Sequence, residues 1–336
     1  MNKSKNKAIE YLRLFRLQTA AVTASTCLIG GLVMNQRDLF LLFVLFLVGL
    51  LYHIFGFVLN EYVDINVDNK SKDLKDKPLV SGSISKVNAL FVVGFSSILA
   101  CVLLVVFFQS IFSILFFAIA LLLGGIYDVY GKTLFASDFV LAGGFFFLFL
   151  AGAATVSTIF PILVYICGIL YFLQIVFNNA VEGGLKDIDH DALGGGRTLA
   201  IRLGVKEHLG KLSVSNSFLT FAFSLRVVFV IFLIFLGLQL EPIFWSQKYL
   251  VGIFLAVLFL LLSFGSMFKF LQNTVFDRGR LKRLFSVHEI SSYSLFLVIL
   301  YPFIGVNFSV VLFLLPFFWF LLLNLVLYGT LLEPRV

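Results

Sequence analysis

The chain has 336 residues, of which 60% are hydrophobic and 13% charged, with 43 Phe among them, and its mean hydropathy is +1.05. Values this far from those of soluble domains exclude a soluble enzyme and indicate a polytopic membrane protein. The net charge of +7 requires no nucleic-acid partner, because membrane topology accounts for the placement of the basic residues.

Met1 to Arg16 is basic and is followed by further spans with no cleavage-like end, so it reads as the approach to an anchored first helix. Apolar runs able to cross about 30 Å of hydrocarbon fall near 17–35, 38–60, 87–108, 110–127, 138–157, 159–180, 213–238, 248–269, 287–304 and 306–330. The last two are divided around Tyr301-Pro302, where Pro302 suits a kink in one long hydrophobic region as well as a break between helices. Continuous runs of this length argue against barrel strands, which alternate over short segments. The polar stretches 61–86, 182–211 and 272–289 are loop-sized, so the expectation is one membrane-embedded domain over 1–336, an all-α bundle of nine or ten transmembrane helices. Cys27, Cys101 and Cys167 lie in apolar stretches without pairing or metal spacing and read as small buried residues.

Basic residues precede the first run (Lys3, Lys5, Lys7, Arg13, Arg16) and follow the second (Lys70, Lys72, Lys75, Lys77, Lys86). Lys132 follows the fourth, Lys186, Arg197, Arg202, Lys206 and Lys211 the sixth, and Lys269, Arg278, Arg280, Lys282 and Arg283 the eighth, with Arg335 near the end. Only Arg37 and Lys248 fall in the alternate loops and Arg226 within a run, so the basic side is expected to be cytoplasmic in a multi-pass cell-membrane protein.

Two acidic clusters lie on that side. Asn60, Asp64 and Asp68 end the second run at a spacing of four, which on a helix puts all three on one stripe. Asp187 and Asp191 repeat the spacing after the sixth run, with Asp189 between them and Glu182 about one turn earlier. Four acids this close repel unless cations neutralise them, and a hard divalent ion with oxygen ligands is the natural answer. Mg²⁺ binds through one or two carboxylates plus phosphate oxygens, so two such clusters facing one cavity would hold it against a diphosphate. Lys72, Lys75, Lys77, Lys132 and Arg197 lie near the clusters, though each alone is explained by topology, and Gly194-Gly195-Gly196 by loop breaking. His53 reads as a buried, satisfied histidine and His190 as a proton handler or a solvated loop residue. His208 and His288 read as surface residues, and Arg226 as paired inside the protein or, second, as an acceptor-binding group.

These residues resemble the UbiA superfamily of intramembrane prenyltransferases. Asn60, Asp64 and Asp68 are similar to its NxxxDxxxD signature, followed by Lys77-Pro78-Leu79-Val80-Ser81-Gly82, similar to its basic-Pro-Leu-x-Ser-Gly element. Asp187 and Asp191 resemble its DxxxD, followed by Gly196-Arg197-Thr198-Leu199, and Tyr127 to Lys132 resembles its tyrosine-x4-lysine element. The resemblance covers roughly residues 10 to 210 well and the remainder by hydropathy only. Arg16-Leu17-Gln18 stands where many members have Arg-Pro, and Glu61 where Asp is frequent.

The resemblance implies a helical bundle, usually of nine spans, holding Mg²⁺ and a polyprenyl diphosphate. By that reading Asn60, Asp64, Asp68, Asp187 and Asp191 are metal-binding, and Asn60, Lys77, Lys132 and Arg197 bind substrate. Asp64, Asp68, Asp187, Asp191, Tyr127 and Lys132 are then catalytic. The acceptor is expected to be lipid-soluble or amphiphilic, a quinone-precursor aromatic or a glycerol-phosphate lipid, within a protein surrounded by membrane lipids. A cation-coupled transporter is the competing class, but it would place its acids near the bilayer midplane on interrupted helices.

Overall fold

A computed structural model describes residues 6–69, 74–131, 133–193, 197–240 and 250–331. A short helix α1 (Lys7–Leu14), capped by the Asn6 side chain, leads through a 3-10 turn (Leu17–Thr19) into α2 (Ala20–Val33). Then follow α3 (Leu39–Asp68), α4 (Lys86–Phe108), α5 (Ile111–Tyr130), α6 (Ser137–Ala153) and α7 (Ile162–Val176). A π-helical turn (Phe177–Gly183) runs into α8 (Gly184–Lys186), and α9 (Ile188–Leu193) and α10 (Leu199–Arg202) are short. A hairpin of β1 (Lys206–His208) and β2 (Lys211–Ser213) pairs Glu207 with Leu212 and precedes α11 (Asn216–Gln239), α12 (Leu250–Leu271), α13 (Arg278–Ile304) and α14 (Val306–Tyr328).

Among the described residues eight helices are long and apolar enough to cross a membrane, and Leu17–Val33 and Ser137–Ala153 are shorter apolar helices at the first and fifth expected runs. The fold is therefore the expected helical membrane architecture. The differences are local. The final pair of helices divides at Gly305, the residue between the expected runs 287–304 and 306–330, whose φ of 91° suits glycine, while Pro302, the expected point of division or kinking, sits inside α13. That helix also begins at Arg278, well before the expected 287, because the Asp277 side chain caps it by accepting from Arg280 N at 3.0 Å and Leu281 and Phe285 are buried. The hairpin was not foreseen: its three-residue strands are too short to leave an alternating pattern, and Leu212 N and Phe276 N donate to Thr274 O and Gly210 O to extend it. Cys27 and Cys167 are buried and Cys101 half-buried, all unpaired.

The chain forms two compact units. The first comprises Met1–Val129, Phe147–Phe160 and Leu314–Val336. In it α3 packs against both α2 and α4, and Leu14, Val58, Ile65, Leu79, Ile84 and Ala89 make a core beneath the end of α3. The part of α6 in this unit lies directly on α2: a Cβ at Gly30 would collide with the Phe149 carbonyl oxygen, and one at Gly152 with that of Cys27. Lipid offers no hydrophobic drive between helices, so such small-residue contacts, which bring backbones into van der Waals range, supply the packing energy.

The second unit comprises Tyr130–Phe146 and Pro161–Phe313. Here α12 packs on α13 and α7 on α11. Phe177, Val181, Leu185, Ile188, Phe218, Met267, Phe270 and Phe285 belong to the core that carries the π-turn and the segment after it.

The α2–α6 contact is rigid backbone on both sides and cannot relax by moving a side chain. Gly152→Val should therefore destabilise by about 3 kcal/mol or more, at the upper end for overpacking. Thermal unfolding in detergent should show a lowered midpoint, with Gly152→Ala intermediate.

Candidate active-site clusters

In the first unit α3 stays helical through Asp68, so Asn60, Asp64 and Asp68 share one stripe as their spacing requires. Asn60 and Asp64 are half-buried and Asp68 is buried. Lys77 reaches back from the following loop, Nζ 2.6 Å from Asp68 Oδ2. That loop is fixed by its own chemistry. Pro78 and Leu79 are buried, Ser81 N and Ile84 N donate to Lys77 O and Pro78 O, and Gly82 has φ 74°. From the other side Ser83 Oγ donates to Glu10 Oε2 at 2.7 Å, and Arg13 bridges Glu10 Oε1 at 2.8 Å and Asp76 O at 3.2 Å. Burial pulls the Arg13 guanidinium down, but the hydrogen bond and charge of Glu10 outweigh it and hold Arg13 above its ordinary value.

Sequence reasoning missed one member of this set. Asp128, on the last turn of α5, hydrogen-bonds to the Asn60 side chain and faces the charge of Asp64. Its Oδ2 is buried with no hydrogen-bond partner among the described residues. The available signal was its place beside Tyr127, in a motif at the end of an even-numbered run. Tyr127 itself is half-buried on α5, and Lys132 lies outside the described residues. Arg16, with φ 45°, lies with Nε 3.8 Å from Glu61 Oε1 and its guanidinium over the Phe57 ring. His53 is buried as expected, contacting Thr23 Oγ1 and the carbonyls of Phe15 and Arg16.

In the second unit the π-turn and α8 deliver Asp187 to a break before α9, and Asp191 N donates to Asp187 O at 2.9 Å. One helical turn therefore joins this pair. The four nearby acids do not share one partner, and cations of the protein meet two of them. Asp189 turns away to Arg278 Nη2 at 2.6 Å, with His190 Nε2 at 3.8 Å, while Lys186 Nζ stands 3.3 Å from Asp187 Oδ2. Glu182 points to α13 instead, its Oε1 2.6 Å from His288 Nδ1. Asp138, buried at the start of α6, is the acid within electrostatic reach of Asp191, and no spacing rule in the sequence connects them. Arg197 is exposed just before α10, and the glycines 194–196 lie outside the described residues.

His288 is also a correction: it is 0% exposed, not a surface residue. Its position in a polar stretch suggested solvent, but that stretch is the buried start of α13. Arg226, 2% exposed, donates Nη1 to Gln174 Oε1 at 2.9 Å and Nη2 to Ser263 Oγ at 3.0 Å, and reaches Ser292 Oγ and His288 Nε2. Phe177 and Phe229 cover its faces at 4.8 and 4.6 Å. Guanidinium only donates, so His288 Nε2 is the acceptor and Nδ1 carries the proton it gives to Glu182. One imidazole thus joins a buried cation to a buried carboxylate, which is the paired role expected of Arg226.

Among the described residues no three His, Cys, Asp or Glu side chains converge as a ready metal cage. The donors in both sets are nonetheless all hard oxygens, and Asp128 has an orphaned one. That suits Mg²⁺, which takes few protein ligands and completes its shell with water and phosphate. The profile of the UbiA prenyltransferase family matches residues 23–267. The chain belongs to the UbiA prenyltransferase family. No curated sequence matches it significantly. Among solved structures it is similar to a digeranylgeranylglyceryl phosphate synthase, at 21% identity and TM-score 0.63, covering 89% of this chain and 99% of that one. It also resembles a UbiA homologue from Archaeoglobus fulgidus bound to GPP and Mg²⁺ (19%, TM-score 0.62, 86% and 99%) and the apo UbiA homologue from Aeropyrum pernix K1 (15%, TM-score 0.65, 85% and 97%). At these identities the likeness establishes the fold, and the protein is a multi-pass integral membrane member of a prenyltransferase family.

The Arg226 network sets a stability test. Arg226→Met leaves His288 and Glu182 buried without their cation and should cost about 3–5 kcal/mol. Ser263→Ala removes one hydrogen bond and should cost about 1 kcal/mol. Thermal midpoints of the purified variants give the comparison.

Proposed function

We propose that this protein is a Mg²⁺-dependent intramembrane prenyltransferase, a single domain over 1–336, moving an isoprenoid chain from a polyprenyl diphosphate to a lipid-soluble or amphiphilic acceptor. The observation that carries the reading is the Asn60, Asp64, Asp68 stripe at the end of α3, with Lys77 2.6 Å from Asp68 and Asp128 hydrogen-bonded to Asn60. The acceptor class is a quinone-precursor aromatic or a glycerol-phosphate lipid. The active-site loops are assigned to the cytoplasmic face, which the distribution of Lys and Arg supports.

Mg²⁺, when bound, neutralises the diphosphate so that it leaves readily. Asp64, Asp68, Asp187 and Asp191 are the carboxylates that would hold it, and Asn60, hydrogen-bonded by Asp128, would be oriented to join them. Lys77, with Nζ 2.6 Å from Asp68 Oδ2, would offer its ammonium to phosphate oxygen, a role assigned also to Lys132 and Arg197. Tyr127, next to Asp128 on α5, is assigned a catalytic role with Lys132. The bond between the prenyl C1 and the bridging oxygen breaks, the electron pair leaves with diphosphate, and the acceptor's nucleophile bonds to C1 and loses a proton. Water must be excluded while the allylic cation lasts, and an apolar, Phe-rich interior does so.

Purified protein given geranylgeranyl diphosphate, Mg²⁺ and a panel of aromatic acids and glycerol phosphates should release diphosphate with one acceptor class, and should stop when EDTA is added. Asp64→Ala and Asp187→Ala should each lower turnover by about 10³-fold or more, in the range lost with a key electrostatic group, with unchanged thermal midpoints. Full activity in both variants would overturn the assignment, and cation-driven uptake in proteoliposomes without prenyl transfer would favour the transporter.

A further inference from the structure

The second acidic segment is gripped twice by one helix. At the first residue of α13, Arg278 donates Nε to Lys186 O at 3.1 Å and Nη2 to Asp189 Oδ1 at 2.6 Å, bracketing Asp187. Ten residues later, about 15 Å along the same helix, His288 donates Nδ1 to Glu182 Oε1 at 2.6 Å. The gripped chain departs from α-helix twice: Glu182 lies near the end of a π-turn over Phe177–Gly183, and after the short α8 the helix breaks at Asp187. A π-turn adds a residue to the turn and rotates everything after it by about 100° relative to an α-helical continuation. The direction taken by Asp187 and Asp191 therefore depends on keeping that turn, a rare departure from the α-helix that contacts from outside the turn can hold.

Asp189 shows why the motif alternates. Residues four apart share a helix face while the one between, two positions on, points to the opposite side. Asp187 and Asp191 therefore lie together and Asp189 faces α13, where Arg278 takes it. The His288 grip is braced in turn by Arg226 from α11, which reaches His288 Nε2.

We propose that Arg278 and His288 are positioning residues that hold the π-turn and the break after it, so that Asp187 and Asp191 are preformed as a pair before metal and diphosphate arrive. The proposal rests on the function assigned above. Each is assigned to act through the segment it holds and not on the diphosphate itself.

The test uses the full-length protein in detergent. Hydrogen–deuterium exchange of amides 184–191 is measured without metal, and Mg²⁺-dependent binding of a non-cleavable geranylgeranyl thiodiphosphate is measured in parallel. Loss of a charge-assisted hydrogen bond corresponds to about a tenfold change, so Arg278→Gln should speed exchange and raise the half-saturating Mg²⁺ by that factor. Turnover at saturating Mg²⁺ should fall by less than about threefold, the residual expected when positioning and not chemistry is lost. Asp189→Asn should behave alike, the double variant no worse than either, and Arg278→Lys should recover part of the loss.

Glu182→Gln, which keeps an acceptor for His288, should exchange as slowly as the parent, whereas Glu182→Leu should not. Should Glu182→Leu fail to fold, Arg278→Gln still decides. Unchanged exchange and Mg²⁺ requirement in Arg278→Gln, additive effects of Arg278→Gln and Asp189→Asn, or a lowered thermal midpoint alone would overturn the proposal. Asp187→Ala separates the two levels. If it keeps Mg²⁺-dependent binding, the function assigned to the segment fails; if it loses binding while Arg278→Gln matches the parent, only the clamp fails.

Discussion

A charge taken into a membrane protein must be answered within the protein, because hydrocarbon offers nothing else to answer it. Much of the polar architecture follows from that. Arg226 is answered by Gln174, Ser263, Ser292 and His288, and Glu182 by His288. Glu10 is answered by Arg13 and Ser83, and Asp68 by Lys77. Apart from Glu10–Arg13, which lies within α1, each pairing joins separate segments, so the same bonds that make burial tolerable also fix the loops. Lys77 is held because Asp68 needs a cation, and its loop is held because Glu10 and Arg13 need partners.

The two acidic sets are built differently. The first rides on one long helix whose last turns remain regular, and helical period alone puts its members on one stripe. Its surroundings come from α5, which adds Asp128, and from the loop, which adds Lys77. In the second set no single helix does the work. The chain leaves α7 through a π-turn and breaks at Asp187, and α13 takes up Glu182 on one side of the break and Asp189 on the other. A regular helix end is robust on its own, while an irregular one requires partners from elsewhere, and those partners are the residues of α13.

What the sequence made legible follows the same division. Runs of apolar residues and spacings of four are local signals, and they located the helices and both aspartate pairs. Pairings across long sequence separations leave no such trace. Nothing near His288 indicates that it will meet Glu182, and its polar neighbours point the other way, because Arg278, Arg280, Lys282 and Arg283 share its stretch while Leu281 and Phe285 take the inner face. The division at Gly305 falls between the expected runs 287–304 and 306–330, and Pro302 in the last turn of α13 does not end that helix. Asp128 and Asp138 were passed over because each stands alone on its helix, and only packing gives it neighbours.

The orphaned carboxylate oxygens show where these rules are broken. Glu10 and Asp189 have both oxygens facing donors or cations. Asp128 Oδ2, Glu61 Oε2 and Glu182 Oε2 are buried without hydrogen-bond partners among the described residues. Leaving such an atom dry costs on the order of 1–3 kcal/mol, more for a charge, and a fold with so many serine and threonine hydroxyls could have satisfied it. Two of the three adjoin the end of α3, and the third precedes Asp187 by five residues. Locally consistent sequences abandon consistency where something other than stability is selected. Among the carboxylates, Asp128 and Glu61 adjoin the first stretch that the aspartate spacing marks, while Gln18, Thr198 and Asn324 carry unsatisfied oxygens elsewhere among the described residues.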